Sequence, residues 1–334
     1  MSRPVSVAIV ACVACVATVA CVALGGCSRG KSDASASADA DADADASAGA
    51  GADAEADAEA DASADADADD ELAYLGGVPR GAKGIGHTSV VFKIELSTGK
   101  KAAFKPASRR GPVRYKGEIA ARRLGIALGL SNVPRAFFRS FEAAPLASAK
   151  GGDEMLVREG SVKGALMPWI DGLSFLALEQ PPLAGQWKLW LRKGETVPDD
   201  QKELARQIST LVAFDFVTAN WDRWSGGNVG IDKASGTLLY IDNDGAFFEV
   251  PPAEGLQRNK KLLEGVDKFS LSFVARLRAL DDDALDRALG DESPGVPLLS
   301  TKALAGVHAR RAQLLRLIDA KSGDAGADAT LAFP

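Results

Sequence analysis

The sequence predicts an α+β fold in two lobes, a β-rich N-lobe with one helix followed by a mainly helical C-lobe. Two observations carry this reading. Between residues 88 and 170 the apolar pattern is largely strand-like, with one helical stretch inside it. From residue 199 onward the long patterns are helical, and they start and stop where capping residues, Gly and Pro allow. A third observation limits the problem: residues 1–71 differ in composition from everything after them and belong to neither lobe.

Within that leader, an apolar run at 4–24 follows Arg3 and gives way to small residues and a cysteine, the layout of an export signal. Leu24-Gly25-Gly26-Cys27 resembles the bacterial lipoprotein lipobox. The resemblance implies a signal peptide over 1–26, lipidation of Cys27, and a protein anchored by acyl chains in the bacterial cell envelope, facing the periplasm or the surface. An uncleaved membrane-spanning helix is the alternative. All four cysteines (Cys12, Cys15, Cys21, Cys27) lie here, so the folded part has neither a disulfide framework nor a cysteine metal site. Residues 32–70 mostly alternate Ala with Asp, Glu, Ser or Gly, a composition that is solvated and self-repelling. Residues 1–71 hold three Lys/Arg against fifteen Asp/Glu, leaving the remaining 263 residues with a net charge of +6. The acidic segment from Cys27 to residue 71 is thus a linker, acting as a spacer or folding back onto a basic face.

The elements then run in order. PRGAKGIGH at 79–87 is a glycine-rich loop, and TSVVFKIEL at 88–96 and KAAFKP at 101–106 are strands joined by the turn STGK. YKGEIAARRLGIALGL at 115–130 places Ala120, Leu124, Ala127 and Leu128 on one helical face and stops at Gly129. Strands at 135–141 and 162–170 complete an N-lobe spanning 72–170. In the C-lobe, 171–321, a helix over 199–220 opens with acidic residues favoured by the helix dipole. VGIDKASGTLLYI is a hairpin turning at KASG, helices follow at about 267–290 and 300–320, and the tail 322–334 is expected to fray.

Single residues within this frame suit phosphate chemistry. Gly81, Gly84 and Gly86 permit close backbone approach, so their N–H groups could cover phosphates. Lys105 on the second strand could hold those phosphates, and Glu118 near the start of the helix could orient it. Asp222, in NWDRWSGGN after the long helix, can accept or orient a hydroxyl proton. Asn228 and Asp242 offer hard oxygen ligands suited to Mg²⁺ or Mn²⁺, with Asp244 of IDNDG competing for the role of Asp242. Such Asx-rich turns can also merely satisfy their own backbones. With only His87 and His308, a Ser-His-Asp hydrolase or a His-rich zinc site is hard to build. Trp187 and Trp190 read as packing residues with carbohydrate binding as the alternative. The basic cluster of Arg109, Arg110, Arg114, Lys116, Arg122 and Arg123 lacks the aromatic interleaving of a nucleic-acid face.

On these segments a family resemblance can be named. EIAARRLGIALGLSNVPRAFFR, FDFVTANWDR and YIDNDGAF resemble secretory-pathway kinases related to Four-jointed and the Golgi casein kinase. AAFKP and IDNDGAF resemble type II phosphatidylinositol 4-kinases, and the N-x-D pattern recurs in HipA-like kinases. The resemblance spans roughly 78–250 and implies a two-lobed protein-kinase-like fold that binds ATP with Mg²⁺ or Mn²⁺. It assigns Lys105 to phosphate binding, Glu118 to its partner, Asp222 to the catalytic aspartate, Asp242 and Asn228 to the metal, and Met167 to Asp171, including Trp169, to the adenine-facing hinge. The sequence departs from these families at Trp224, where they often carry His, and in the six-residue step from Asp222 to Asn228. The implied activity is transfer of the γ-phosphoryl group to a hydroxyl of a protein, glycan or lipid. A pseudokinase and an AMP-transferring enzyme of the same fold remain the alternatives.

Overall fold

The computed structural model describes residues 68–334; the expected signal peptide, lipobox and most of the linker lie outside the described residues. Five strands form the N-lobe sheet: β1 (Pro79–Gly84), β2 (Phe92–Leu96), β3 (Lys101–Pro106), β4 (Phe137–Glu142) and β5 (Ser161–Pro168). All neighbours are antiparallel, in the order β1-β2-β3-β5-β4. The alternation expected of a sheet with one packed face is plain in β2, where Phe92, Ile94 and Leu96 are buried. Across the β2–β3 pair Phe92 lies opposite Phe104, and Phe104 meets Phe141 of β4 edge to face at 4.9 Å.

The strand β1 corrects the sequence reading. Residues 79–84 were expected as loop but pair along β2, and the loop is confined to 85–91. The cross-strand partner supplies what local propensity does not, so two glycines do not prevent a strand.

Helix α1 (Tyr115–Ala127) stops before Gly129, whose φ is +65°, and it buries Ala120 and Leu124 as expected. Its apolar face joins the larger core, shared with the C-lobe, whereas the sheet face forms a separate smaller core. The helix therefore sits where the two lobes meet.

The C-lobe contains α2 (Leu183–Trp190), α3 (Lys202–Thr218), the antiparallel hairpin β7 (Val229–Asp232) and β8 (Thr237–Tyr240), and α4 (Ala253–Glu264). A short strand, β6 (Ser174–Phe175), extends the hairpin to three strands. Trp187 is buried and stacks on Trp224 at 5.7 Å, which gives both residues a packing role. The expected helix over 267–290 is two helices, α5 (Leu271–Ala279) and α6 (Asp282–Ala288). Ser270 and Asp281 each cap one of them, accepting from the N–H of Phe273 and Ala284, so the second cap starts a new helix where periodicity alone runs on. A small hairpin, β9 (Asp291–Ser293) and β10 (Val296–Pro297), precedes α7 (Thr301–Ala325).

The tail also departs from expectation. Residues 322–334 are not frayed: α7 extends through Ala325, Phe333 is buried, and its carbonyl accepts from Leu271 N–H at 2.7 Å. Burying one aromatic ring and pairing backbone groups offsets the entropy of ordering a short end. Among the described residues no helix is long and apolar enough to cross a membrane.

Candidate active site

The elements converge on Lys105. Strand β3 carries it into the interior between the lobes, where its ammonium lies 2.7 Å from Glu118, 2.6 Å from Asp242 and 3.1 Å from Asp244. Burial opposes its charge, but three carboxylates hold its pKa well above the ordinary lysine value. Lys105, Glu118 and Asp242, separated by up to 137 positions, are thus brought into one cluster.

Glu118 is positioned by the close approach of α1 to the IDNDG turn. A Cβ on Gly117 would stand 2.3 Å from the carbonyl oxygen of Asn243, so only glycine allows this contact. Across it, the backbone N–H of Asn243 donates to both carboxylate oxygens of Glu118, each at 3.1 Å.

Exposure separates Asp242 from its competitor. The Asp242 side chain is 41% exposed and lines a cavity of about 600 Å³, whereas that of Asp244 is 2% exposed. Asp244 is already engaged by Arg114 at 2.7 Å, by the Ser89 hydroxyl at 2.6 Å and by Lys105. That leaves Asp242 as the carboxylate available to a ligand. Partial burial resists its ionisation, yet the Lys105 ammonium draws its carboxyl below the usual range. Its φ of +56° places a non-glycine residue in the left-handed region, local strain of the kind that clusters at functional sites.

The same cavity is also lined by the apolar residues Ala103, Met167, Trp169 and Ile241. Trp169 N–H is spent on Lys101 O, and Lys93 lies 3.8 Å over the Trp169 ring. Gly86 and His87 of the 85–91 loop cover the cavity. Gly84 does not. It ends β1 outside the cleft, where a Cβ would collide with the Lys150 carbonyl, so its lack of a side chain serves packing.

Asp222 and Asn228 stand beside the cleft and do not line it. Asp222 begins a short 3₁₀ turn, Arg223–Ser225, and among the described residues its carboxylate takes part in no hydrogen bond. It lies against the IDNDG turn: a Cβ on Gly245 would be 2.9 Å from that of Asp222. Asn228 ties the turn shut through its amide, donating to Asp222 O at 2.8 Å, and its Oδ1 is not engaged in that bond. The long step from Asp222 to Asn228 is taken up by the 3₁₀ turn and by Gly226 and Gly227 at positive φ.

Sequence reasoning missed Arg223. Fully buried, it pairs with Asp215 at 3.1 Å and donates to Asn228 O and Asn243 Oδ1, each at 2.6 Å, and to Ile241 O. One guanidinium thereby holds the Asp222 turn and the Asp242 turn together. The basic cluster at 109–123 is likewise consumed inside the chain: Arg109 donates to Asp153 O, Arg110 pairs with Glu154, Arg114 with Asp244, and Lys116, Arg122 and Arg123 donate to backbone carbonyls. Among the described residues no group of three or more His, Cys, Asp or Glu is arranged to hold a metal unaided. His308 bridges Asp282 and Asp286, far along the chain from the site.

No protein-family model matches the sequence, and no curated protein matches it. Solved structures do. The structure of hydra Fam20 with sugar aligns with a TM-score of 0.54 and 15% identity, over 75% of this chain and 88% of that one. The Golgi casein kinase aligns with a TM-score of 0.56 and 14% identity, over 76% of each chain. The same kinase with Mn/ADP bound gives a TM-score of 0.56 and 14% identity, over 75% of this chain and 74% of that one. At these identities the likeness is one of fold, and the fold is kinase-like.

Proposed function

We propose that the chain is an ATP- and metal-dependent phosphotransferase that moves the γ-phosphoryl group to a hydroxyl of a protein, glycan or lipid. The observation that carries this is the Lys105 cluster: a buried ammonium oriented by Glu118, beside a half-exposed Asp242, in a cavity that apolar side chains also line. A fixed cation and a hard carboxylate suit a triphosphate, and an apolar lining suits a base. The solved kinase of the same fold with Mn/ADP bound adds support.

The residues present fit the nucleotide and its metal. Asp242 would hold Mg²⁺ or Mn²⁺, with Asn228 Oδ1 as the second protein oxygen, and Met167 and Trp169 would flank the base. The metal supplies neutralisation of phosphate charge when bound. Lys105 contributes a fixed positive charge for the phosphates, which Glu118 keeps aligned. Asp222, with its carboxylate unspent, takes or orients the acceptor's hydroxyl proton. The loop at 85–91 limits water above the phosphates. The proposal places the enzyme in the cell envelope, held through Cys27 by its lipid anchor.

Two measurements on the purified protein test this. ATP with Mn²⁺ should raise the melting temperature of the wild type and not that of Asp242→Ala; no shift in either would remove the nucleotide site. Label from γ-phosphate should appear on an acceptor and vanish in Asp222→Ala. Label from α-phosphate instead would indicate AMP transfer, and nucleotide binding without any labelling would indicate a pseudokinase.

A further inference from the structure

We propose that Glu292 is a positioning residue: from the β9–β10 hairpin it fixes the start of α1 and so holds Glu118 against Lys105. Neither the activity proposed above nor the family resemblance assigns any role to this hairpin, and the inference deepens that reading by naming what keeps its central ion pair assembled.

Helix α1 begins weakly. Its N-cap residue, Arg114, supplies no side-chain hydrogen bond, and its first turn contains Gly117, which the approach to Asn243 requires. An uncapped start and an early glycine each cost about 1 kcal/mol. The helix end that bears Glu118 therefore depends on tertiary ties, and the β9–β10 hairpin provides them.

Glu292 lies on β9 with a side chain only 1% exposed. It accepts from the Tyr115 hydroxyl at 2.8 Å and from Lys163 of β5 at 2.7 Å, and pairs with Lys116 at 3.2 Å. Around it the hairpin backbone takes Lys116 a second time and one further cation of α1: Lys116 donates to Pro297 O and Arg123 to Asp291 O, both at 2.7 Å. Tyr115 and Lys116 are the first two residues of α1, and Glu118 lies in the same first turn. A single buried carboxylate thus joins the helix start to the strand that leads into the Met167 hinge. Burial disfavours the Glu292 charge, yet Lys163, Tyr115 and Lys116 together keep its carboxyl below the usual range, so the anchor stays ionised near neutrality. A buried charge deprived of its partners is strongly unfavourable, which makes the arrangement close to all-or-none.

The test uses the full chain as wild type, E292A, E292Q, E118Q and the E118Q/E292A double variant. Hydrogen exchange without nucleotide reads the helix directly: in E292A the α1 amides should exchange about tenfold faster, the loss of charge-assisted hydrogen bonds, while α3 amides keep their protection. Affinity for ATP with Mn²⁺ should fall about tenfold on E292A in the wild-type background and change by less than about twofold in the E118Q background, because a residue acting through Glu118 is non-additive with it. E292Q, which keeps an acceptor oxygen for Tyr115, should recover part of both. Unchanged α1 exchange in E292A, or an equal affinity loss in both backgrounds, overturns the proposal. If E292A does not fold, E292Q carries the same two readouts. A wild type that binds no nucleotide sinks the proposed function, and the exchange experiment then decides the role of Glu292 alone.

Discussion

Asp215 and Arg223 form a fully buried ion pair beneath the Asp222 turn, and neither was singled out by motif. Asp215 falls inside the apolar run of α3, where a carboxylate looks like an interruption of the core until its partner eight positions later is placed beside it. Burial pushes its carboxyl from 3.8 up to about 6 despite the adjacent guanidinium. A carboxyl raised above its unfolded value binds its proton more tightly when folded, so its contribution to stability falls as pH rises from 3.8 to about 6 and is level above that. Denaturant midpoints across this range should therefore lose one descending component in Asp215→Asn, whatever the offset between the two proteins. Parallel pH profiles for variant and wild type would contradict the assignment. Lys105, Glu118 and Asp242 were legible as residues, since their order along the chain carries information. Asp242 and Asp244 sit in the same five-residue turn, where the resemblance already favoured Asp242, and exposure separates the two.

The decisive element is α1, whose helical face was readable from the spacing of Ala120, Leu124 and Leu128. Its contact with the IDNDG turn was not, because a glycine within a helix signals nothing by itself in one sequence. Gly117→Ala tests that contact. The added methyl would overlap the Asn243 carbonyl, and the helix should move outward and take Glu118 with it. The expected result is a loss of about 1–3 kcal/mol of stability, although alanine is the better helix former, together with weaker nucleotide binding. A Gly117→Ala protein more stable than wild type, as propensity alone predicts, would show that the helix has room to spare. The strand β1 makes the complementary point. Its glycines read as loop, and only pairing with β2 turns them into sheet.

Over the whole described chain there are two cores, the smaller under the N-lobe sheet and the larger shared by α1 and the C-lobe. The C-terminus closes the larger core. Phe333 is 4% exposed, and the backbone of 330–333 bonds to Phe269 and Leu271 at the entrance to α5. Phe333→Ala should lower stability by about 3 kcal/mol, seen as a melting temperature lower by several degrees. A change below 1 °C would mean that the end of the chain is dispensable to the fold.

Composition and periodicity, acting locally, were enough to divide the described residues into a sheet lobe and a helical lobe and to pick out Lys105, Glu118 and Asp242, which the fold brings into one cluster. Each of these depends on neighbours a few residues apart or on an order that folding does not alter. The pairing of β1, the docked tail, the Arg223 hub and the Glu292 clamp were decided by tertiary structure. In each, a polar or glycine-rich segment that looks solvated by itself is satisfied by a partner from another part of the chain, and the burial that makes the partnership necessary exists only once the lobes have closed.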